Sequence, residues 1–295
     1  MRLKLLKGRY VVAVSGGVDS IVLLDVLSKL PEVEIIVAHF NHGIRPGSAK
    51  DQELVKNAAR KYNLPFEAGY GRLGFDASEE QAREARYKFL DSLKQKNSAD
   101  AIITAHHQDD LIETAILNIL RGTGRRGLSS IIDNPDVLRP MLGVAKKDIL
   151  TYARSHDLEW LEDPSNKDEK YLRNYIRHKI IPQLTKQQKR QLLRGLNQTA
   201  SINRILNQEI ANLSQKIVKR NAVQREKFTS LPTEVANEVL MHWLRQNEIR
   251  QFDQNTIQRL AVAIKTARAG TRHDVIKGAV IEMSPTVALL MTSVN

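Results

Sequence analysis

A glycine-rich turn near the start of the chain has the composition of a phosphate site. It reads SGGVDS at residues 15–20 and stands between an apolar segment and a helix-like pattern. Consecutive glycines let several backbone N–H groups point at one anion, and the start of a following helix adds positive charge. Ser15 and Ser20 can donate hydrogen bonds to phosphate oxygens, whereas Asp19 would repel a phosphate unless it binds Mg²⁺. The turn lacks the lysine of the common P-loop, and a plain tight turn is the structural alternative.

A second polar group lies in AHHQDDLIET, residues 105–114. On a helix, His106, Asp110 and Glu113 fall at i, i+4 and i+7 and share one face. Two carboxylates near a phosphate loop predict a Mg²⁺ site, and a histidine there can orient a phosphate or move a proton. Zinc is disfavoured because the two-His-plus-Glu spacing of metalloproteases is missing. The structural alternative is an acidic first helical turn, which explains Asp109 and Asp110 but not the histidine pair.

Three further polar segments each allow two interpretations. EEQAREARY, residues 79–87, has charged side chains on one helix face, which surface ion pairs alone would explain. HFNHGIR, residues 39–45, ends a strand and could read an adenine or only cap the next helix. DPSN, residues 163–166, precedes Arg173 and Arg177, which could clamp a phosphate or remain solvated.

The first half of the chain alternates between predicted strands and helices, and these elements must position the polar segments. Strands are predicted at 10–14, 33–40, 65–69 and 101–104, and helices at 20–30, 49–62, 78–96 and 109–120. This alternation predicts an α/β fold with a mostly parallel, Rossmann-like sheet and helices on both faces. Ligands bind beyond the carboxyl ends of such strands, and three of the polar segments fall there, at 15–20, 39–45 and 106–113.

The alternation fades after Pro140. Helices are predicted at 146–156, at 171–181, from 182 to about 220, and at 234–245. Residues 272–290 have β-like character and include a possible hairpin. We therefore predict a catalytic domain at 1–182 and a smaller, mainly helical, basic domain at 183–295. Residues 183–295 carry 17 Lys and Arg and 8 Asp and Glu, a net charge of +9 out of +12 for the chain. Such an excess suits a nucleic-acid backbone, although a solvated basic surface is the alternative.

Composition excludes several classes of protein. The 295 residues are 42% hydrophobic, enough for a core, but contain no apolar run long enough to span a membrane. The basic N-terminus runs into the first strand without a small-residue cleavage site, so a signal peptide is disfavoured. The chain contains no cysteine, which excludes disulfides, thiolate zinc sites and a catalytic thiol and fits a cytoplasmic protein.

Taken in order, the motifs resemble one family. The chain carries SGGVDS, HFNHGIR, EEQAREARY, TAHHQDD, LRGTGRRGL, LRPML, EDPSN and RNYIRHKIIP. SGGVDS alone resembles the PP-loop of N-type ATP pyrophosphatases, whose fold is adenine nucleotide alpha hydrolase-like. The full set, over about residues 8–184, resembles the tRNA(Ile)-lysidine synthetases. The C-terminal third shows only a general likeness, helical and basic, and is as short as in the compact members of the family.

The resemblance implies a ligase that forms a C–N bond. ATP would adenylate C2 of the wobble cytidine in an isoleucine tRNA with a CAU anticodon, and free L-lysine would displace AMP to give lysidine. The codon read would change from AUG to AUA. The resemblance also explains the lysine-free loop, because the α-phosphate is attacked and pyrophosphate leaves. Thiolation enzymes on this fold are disfavoured, because they generally need cysteines.

The resemblance also implies roles for individual residues. ATP would be held by Ser15, Gly16, Gly17, Val18, Asp19 and Ser20, with His39 and Asn41 as further nucleotide-binding residues. Mg²⁺ would bind Asp19 and Asp110. His106 and Glu113 would lie at the reacting cytosine and lysine. The transition-state phosphate charge would be stabilised by Arg86 and Arg177, and the tRNA would be contacted by Arg125, Arg126 and Arg173.

Two rival functions remain open from the sequence. A PP-loop ligase that acts on a small molecule would not need the basic C-terminal domain. A non-catalytic RNA-binding protein with a relic nucleotide site would not need Asp19, Asp110 and Glu113. The sequence does not determine the oligomeric state, and a homodimer is compatible with it.

Overall fold

The chain folds into two compact units, residues Met1–Ala200 and Ser201–Asn295. The computed structural model describes residues 1, 3–41, 43, 48–71, 79–132, 136–162 and 170–292. The functional domains predicted at 1–182 and 183–295 remain a prediction.

The first unit contains a five-stranded parallel sheet with the order β3-β2-β1-β4-β5. Its strands are β1 Gly8–Ala13, β2 Val33–Asn41, β3 Phe66–Tyr70, β4 Ala101–Ile103 and β5 Val137–Leu138. Neighbouring strands are in register at Val12, which pairs with Val37 on one side and Ile103 on the other. The predicted parallel sheet is confirmed. β5 was missed because two residues are too few to show a periodic pattern.

Helices cover both faces of this sheet. The helices are α1 Val18–Ser28, α2 Ser48–Lys61, α3 Glu79–Lys96, α4 Gln108–Leu120, α5 Arg125–Leu128, α6 Lys146–Ser155 and α7 Leu172–Tyr175. Val12 and Ile103 pack in one core with α1, α2 and α6, whereas Val11 and Ile102 pack in another with α3. Adjacent residues of one strand are thus buried on opposite faces, which explains why the strands are continuously apolar.

The segment after α7 changes its helical geometry. A π-helical turn covers Ile176–Ile180, and a 3₁₀ turn covers Ile181–Gln183. The long helix α8, Lys186–Ile217, begins in the first unit and ends in the second. Pro182 lies in the 3₁₀ turn, which a proline can start because the first backbone N–H groups of a helical turn need no intrahelical partner.

The second unit combines helices with a five-stranded antiparallel sheet of order β6-β7-β10-β9-β8. Its further elements are β6 Val218–Lys219, β7 Ala222–Gln224, α9 Arg225–Thr229, α10 Thr233–Gln246, α11 Gln254–Thr266, β8 Arg272–Ile276, β9 Ala279–Met283 and β10 Val287–Thr292. Its core surrounds the fully buried side chains of Phe228 and Trp243.

The expectation of a mainly helical C-terminal domain is therefore only partly right. The predicted hairpin is confirmed by the antiparallel pairing of β8 and β9. The complete sheet was missed, because β6 and β7 are two and three residues long and β7 pairs with the distant β10. No helix among the residues that the structure describes is both long and apolar enough to cross a membrane.

A candidate nucleotide site at the carboxyl edge of the parallel sheet

The glycine-rich turn lies between β1 and α1. The Ser20 hydroxyl accepts the backbone N–H groups of Ser15 and Gly16 at 3.1 and 3.2 Å and donates to the Gly17 carbonyl at 2.9 Å. Gly16 has a φ of +94°, which a residue with a Cβ rarely adopts. Gly17 is the N-cap of α1 and, as a glycine, has no side chain to cap the first backbone N–H groups of the helix. The turn is thus held by its own hydrogen bonds and presents the start of α1, where an anion is favoured.

Asp19 of this turn pairs with a lysine from a distant element. The Lys146 ammonium lies 2.6 and 2.7 Å from the two carboxylate oxygens of Asp19. Lys146 is the first residue of α6 and stands 127 positions away in the chain. Sequence reasoning missed Lys146, because nothing in the α6 pattern distinguishes it from an ordinary surface lysine. The lysine-free turn therefore receives a lysine from another helix.

His107 connects the turn to α4. Its Nε2 lies 3.7 Å from Asp19 Oδ1 and 3.5 Å from Asp110 Oδ2. As the N-cap of α4, His107 accepts the Asp109 N–H at Nδ1, and Asp110 accepts the His107 N–H at 2.9 Å. Because Nδ1 accepts a hydrogen bond, the neutral ring carries its proton on Nε2, which faces both carboxylates. The sequence signal for His107 was the histidine pair, from which the prediction selected His106.

His106 lies in the loop before α4 rather than on its face. The helix begins at Gln108, so the expected shared helix face of His106, Asp110 and Glu113 is wrong for the histidine. His106 Nδ1 is 2.7 Å from the Thr104 hydroxyl. Burial lowers the pKa of His106 to about 4, and Asp110 opposes this shift. At neutral pH the ring is uncharged and can accept or donate a hydrogen bond.

Glu113 and Arg177 form a buried ion pair beside Asp110. Glu113 is 0% exposed, and Arg177 donates to both of its oxygens at 2.7 and 2.8 Å. Arg173 Nε lies 3.6 Å from the same carboxylate, and Arg177 is 3.5 Å from Asp110. Burial raises the pKa of Glu113, with Arg177 opposing the shift. Burial alone would lower the pKa of Arg177. The hydrogen bonds and the charge of Glu113 outweigh burial, so the pKa of Arg177 is raised.

The first unit matches known proteins over most of its length. Residues 3–184 match the family model described as the PP-loop domain. The tRNA(Ile)-lysidine synthase of Francisella tularensis subsp. holarctica is 30% identical over 275 residues, which cover 90% of this chain and 69% of that protein. The chain belongs to the tRNA(Ile)-lysidine synthase family of PP-loop proteins. The family resemblance of the motifs is confirmed.

Other members of the tRNA(Ile)-lysidine synthase family are longer than this chain. The enzyme of Thermotoga sp. strain RQ2 is 38% identical over 220 residues, which cover 71% of this chain and 53% of that protein. The enzyme of Legionella pneumophila strain Lens is 35% identical over 280 residues, which cover 88% of this chain and 62% of that protein. The chain thus spans about half to two thirds of the length of these relatives.

A solved structure supports the fold. The U34-tRNA thiolase NcsA from Methanococcus maripaludis, solved with its [4Fe-4S] cluster, has a TM-score of 0.54 and 15% sequence identity. The comparison covers 68% of this chain and 74% of the thiolase. At this identity the likeness concerns the fold alone. The present member of the lysidine synthase family contributes no cysteine that could hold such a cluster.

The nucleotide-binding residues predicted at 39 and 41 lie at the end of β2 and make contacts within the chain. His39 is buried and donates from Nδ1 to the Val14 carbonyl at 2.9 Å, and burial lowers the pKa of His39. Asn41 accepts the Gly43 N–H at 2.9 Å. The His39 bond holds the end of β2 beside Val14, the residue that precedes the glycine-rich turn. His42, Ile44 and Arg45 of the HFNHGIR motif lie outside the described residues, and so does the DPSN motif at 163–166.

The predicted arginines lie on four elements, namely α3, α5, α7 and the π-helical turn. Arg86 is on α3, with its guanidinium 5.7 Å from the Tyr87 ring centre, and its charge is one of several that lower the pKa of the nearby His106. Arg125 and Arg126 form the first turn of α5, after the Gly124 N-cap. The Glu113 carboxylate is contacted by Arg173 from α7 and by Arg177 from the π-helical turn.

The carboxylates present at the site fit magnesium. Asp19 and Asp110 both face His107, and Mg²⁺ usually binds through one or two carboxylates together with substrate phosphates. Within the described part of the chain, no group of three or more His, Asp or Glu side chains is arranged to hold a metal by itself. The donor set therefore suits a cation shared with a nucleotide rather than a permanent structural metal.

Proposed function

We propose that the protein is a tRNA(Ile)-lysidine synthetase that uses ATP to join L-lysine to C2 of the wobble cytidine. The observation that carries this proposal is the convergence of three groups beyond the carboxyl edge of the sheet. These are the glycine-rich turn with Asp19, the His107–Asp110 cap of α4, and the Glu113–Arg177 pair. The family membership supports the same reaction, and a cytoplasmic location suits its substrates.

The first proposed step is adenylation. The phosphates bind where the glycine-rich turn meets α1, and the backbone N–H groups in the first turn of α1 stabilise their charge. Mg²⁺, when bound by Asp19 and Asp110, would neutralise phosphate charge. The oxygen on C2 of the cytosine attacks the α-phosphorus, and pyrophosphate leaves with the electron pair of the broken bond. His106 is uncharged at neutral pH and can orient the cytosine by a hydrogen bond.

The second proposed step is attack by lysine. The lysine amine bonds to C2, AMP leaves, and the amine loses a proton. Glu113 is the candidate proton acceptor because burial raises its pKa, which brings a carboxylate nearer to the range useful for a base. Arg177 must then shift its hydrogen bonds from Glu113 towards phosphate, which a bidentate guanidinium can bind equally well.

The tRNA is the proposed macromolecular partner. The net charge of +9 on residues 183–295 supports contacts with phosphates of the tRNA backbone. Arg125, Arg126 and Arg173 are proposed to contact the anticodon region. A wobble base is accessible to such chemistry because bases in a loop leave their stack at low cost.

The experiment that tests this function is ATP-dependent incorporation of labelled lysine into bulk bacterial tRNA. We expect wild type to incorporate lysine, and Asp19→Asn and Glu113→Gln to abolish incorporation. Glu84→Gln changes an exposed carboxylate paired with Lys88 and serves as the matched control. If wild type releases pyrophosphate but transfers no lysine to tRNA, the substrate assignment is wrong. A PP-loop ligase that acts on a small molecule is then the better hypothesis.

A further inference from the structure

Lys146 is a side chain of the site to which the proposed reaction assigns no task. Its contacts with Asp19 at 2.6 and 2.7 Å are short for an ion pair. The two side chains are 34% and 29% exposed. Ion pairs with this much solvent exposure contribute little to stability. Stability alone therefore does not explain why a lysine from α6 contacts the aspartate of the glycine-rich turn.

Two attachments hold α6 beside the turn independently of this ion pair. Ile149 and Ala153 of α6 are buried in the same core as Leu23 and Leu27 of α1. The segment after α6 also contacts the turn, because the Leu161 N–H donates to the Gly16 carbonyl at 3.0 Å. Lys146 consequently remains next to the turn when its ammonium leaves Asp19.

The charges of the site explain why the ammonium would leave. Asp19, Asp110 and Glu113 are balanced by Lys146, Arg173 and Arg177. A triphosphate adds several negative charges next to Asp19. An aspartate oxygen that binds a cation no longer attracts an ammonium as strongly, and the oxygens of the triphosphate become the closest unpaired anions.

We propose that Lys146 binds the β- and γ-phosphates of ATP, moving there from Asp19 when the nucleotide and its cation enter. A lysine suits this task because its ammonium carries three donors on a flexible stem. In the adenylation step, which rests on the proposed function, the α-phosphorus gains a bond to the cytosine oxygen and loses its bond to the oxygen of the leaving pyrophosphate. Lys146 stabilises the negative charge that develops on that pyrophosphate. Helix α6 thus supplies the lysine that the turn itself lacks.

The test compares the binding of ATP and AMP by calorimetry on the full chain with Mg²⁺ present. We expect Lys146→Gln to weaken ATP binding roughly 10- to 100-fold, the size of one charge-assisted hydrogen bond. AMP lacks the β- and γ-phosphates, so its affinity should change less than about twofold. Lys147→Gln removes the same charge from the exposed neighbouring residue, and we expect it to change neither affinity.

An equal loss of ATP and AMP affinity would overturn the proposal, because Lys146 would then act only by neutralising Asp19. No loss for either nucleotide would overturn it too and leave a surface ion pair. If Lys146→Gln does not fold by circular dichroism, Lys146→Arg replaces it, and the expected result is a smaller loss that is again specific to ATP. The binding test needs neither tRNA nor lysine, so it can succeed while lysine incorporation fails, and the two proposals are tested separately.

Discussion

Burial decides what each charged residue of the site contributes to stability. The carboxylate of Glu113 has no contact with solvent and depends on Arg177 for its pairing. The pair between Asp19 and Lys146 is equally short but partly exposed. Water can replace a lost partner at an exposed pair but not at a buried one. The same chemical interaction therefore has different consequences at two places in one site.

Arg177→Ala should lower the free energy of unfolding by about 3 kcal/mol, because it leaves a buried carboxylate without its bidentate partner. Lys146→Ala should lower it by less than about 1 kcal/mol. Urea denaturation followed by circular dichroism measures both values. The double variant Glu113→Gln, Arg177→Gln should recover part of the loss, since the fully buried position 113 then carries no charge. Equal small losses for the two alanine variants would show that the Glu113 pocket admits water.

The pH dependence of stability should report the buried His106. Its pKa is lowered by burial to about 4, compared with 6.5 for an ordinary histidine. Between these pH values the unfolded chain binds the proton more readily, so stability falls as the pH drops from 6.5 to 4. His106→Gln lacks the titrating group and should lose less stability over this interval. The urea midpoint is measured at pH 7 and at pH 4.5 for wild type and for His106→Gln. An equal fall of the midpoint in both proteins would contradict the prediction.

At the scale of elements, local patterns were predictable and distant contacts were not. The first strand, the turn and α1 follow from a continuous apolar run, two glycines and a second apolar run. The two-residue strand β5 has no local signal. The start of α4 was placed correctly at about residue 109, but the role of His107 as its cap was not foreseen. Lys146 reaches the site only because α6 packs on α1, which no single-sequence pattern encodes.

The two glycines of the turn should respond differently to alanine. Gly16 has a φ of +94°, so Gly16→Ala should cost about 1–2 kcal/mol of stability through backbone strain. Gly17 has a φ of −74°, and a Cβ there would lie 3.6 Å from the Ser15 hydroxyl, an ordinary contact. The stability of Gly17→Ala should stay within about 0.5 kcal/mol of wild type. Its ATP binding should be weaker, because a methyl group would keep the phosphates away from the backbone N–H groups.

Thermal unfolding and ATP calorimetry on both glycine variants separate these effects. If Gly17→Ala binds ATP as well as wild type, the phosphates do not approach this part of the turn. If Gly16→Ala is as stable as wild type, the left-handed conformation is not required in solution. Each outcome bears on a different residue, so one variant serves as the control for the other.

At the scale of the whole molecule, charge is the feature that sequence predicts best, because it needs no knowledge of the fold. The net charge of +9 on residues 183–295 follows directly from their composition. The structure adds where part of this charge is concentrated. A basic cluster consists of four exposed side chains at the end of α8, at the end of β6 and the turn after it, and on α9: Lys216, Lys219, Arg220 and Lys227. The Lys227 ammonium donates to the Lys216 carbonyl at 3.2 Å, which holds Lys227 of α9 beside the end of α8.

Binding of bulk tRNA should weaken steeply with salt, and the basic cluster should account for part of that dependence. Lys219→Glu should lower the affinity and reduce the slope of log K against log salt by about 1, since roughly one phosphate contact is lost. Lys277→Glu makes the same charge change at the exposed turn between β8 and β9. A smaller effect is expected there, because residues 273–281 contain no other lysine or arginine. Filter binding between about 50 and 200 mM salt measures both slopes. Equal changes in the two variants would mean that only net charge attracts the tRNA, whereas an effect confined to Lys219 would identify the cluster as a contact surface for the phosphate backbone.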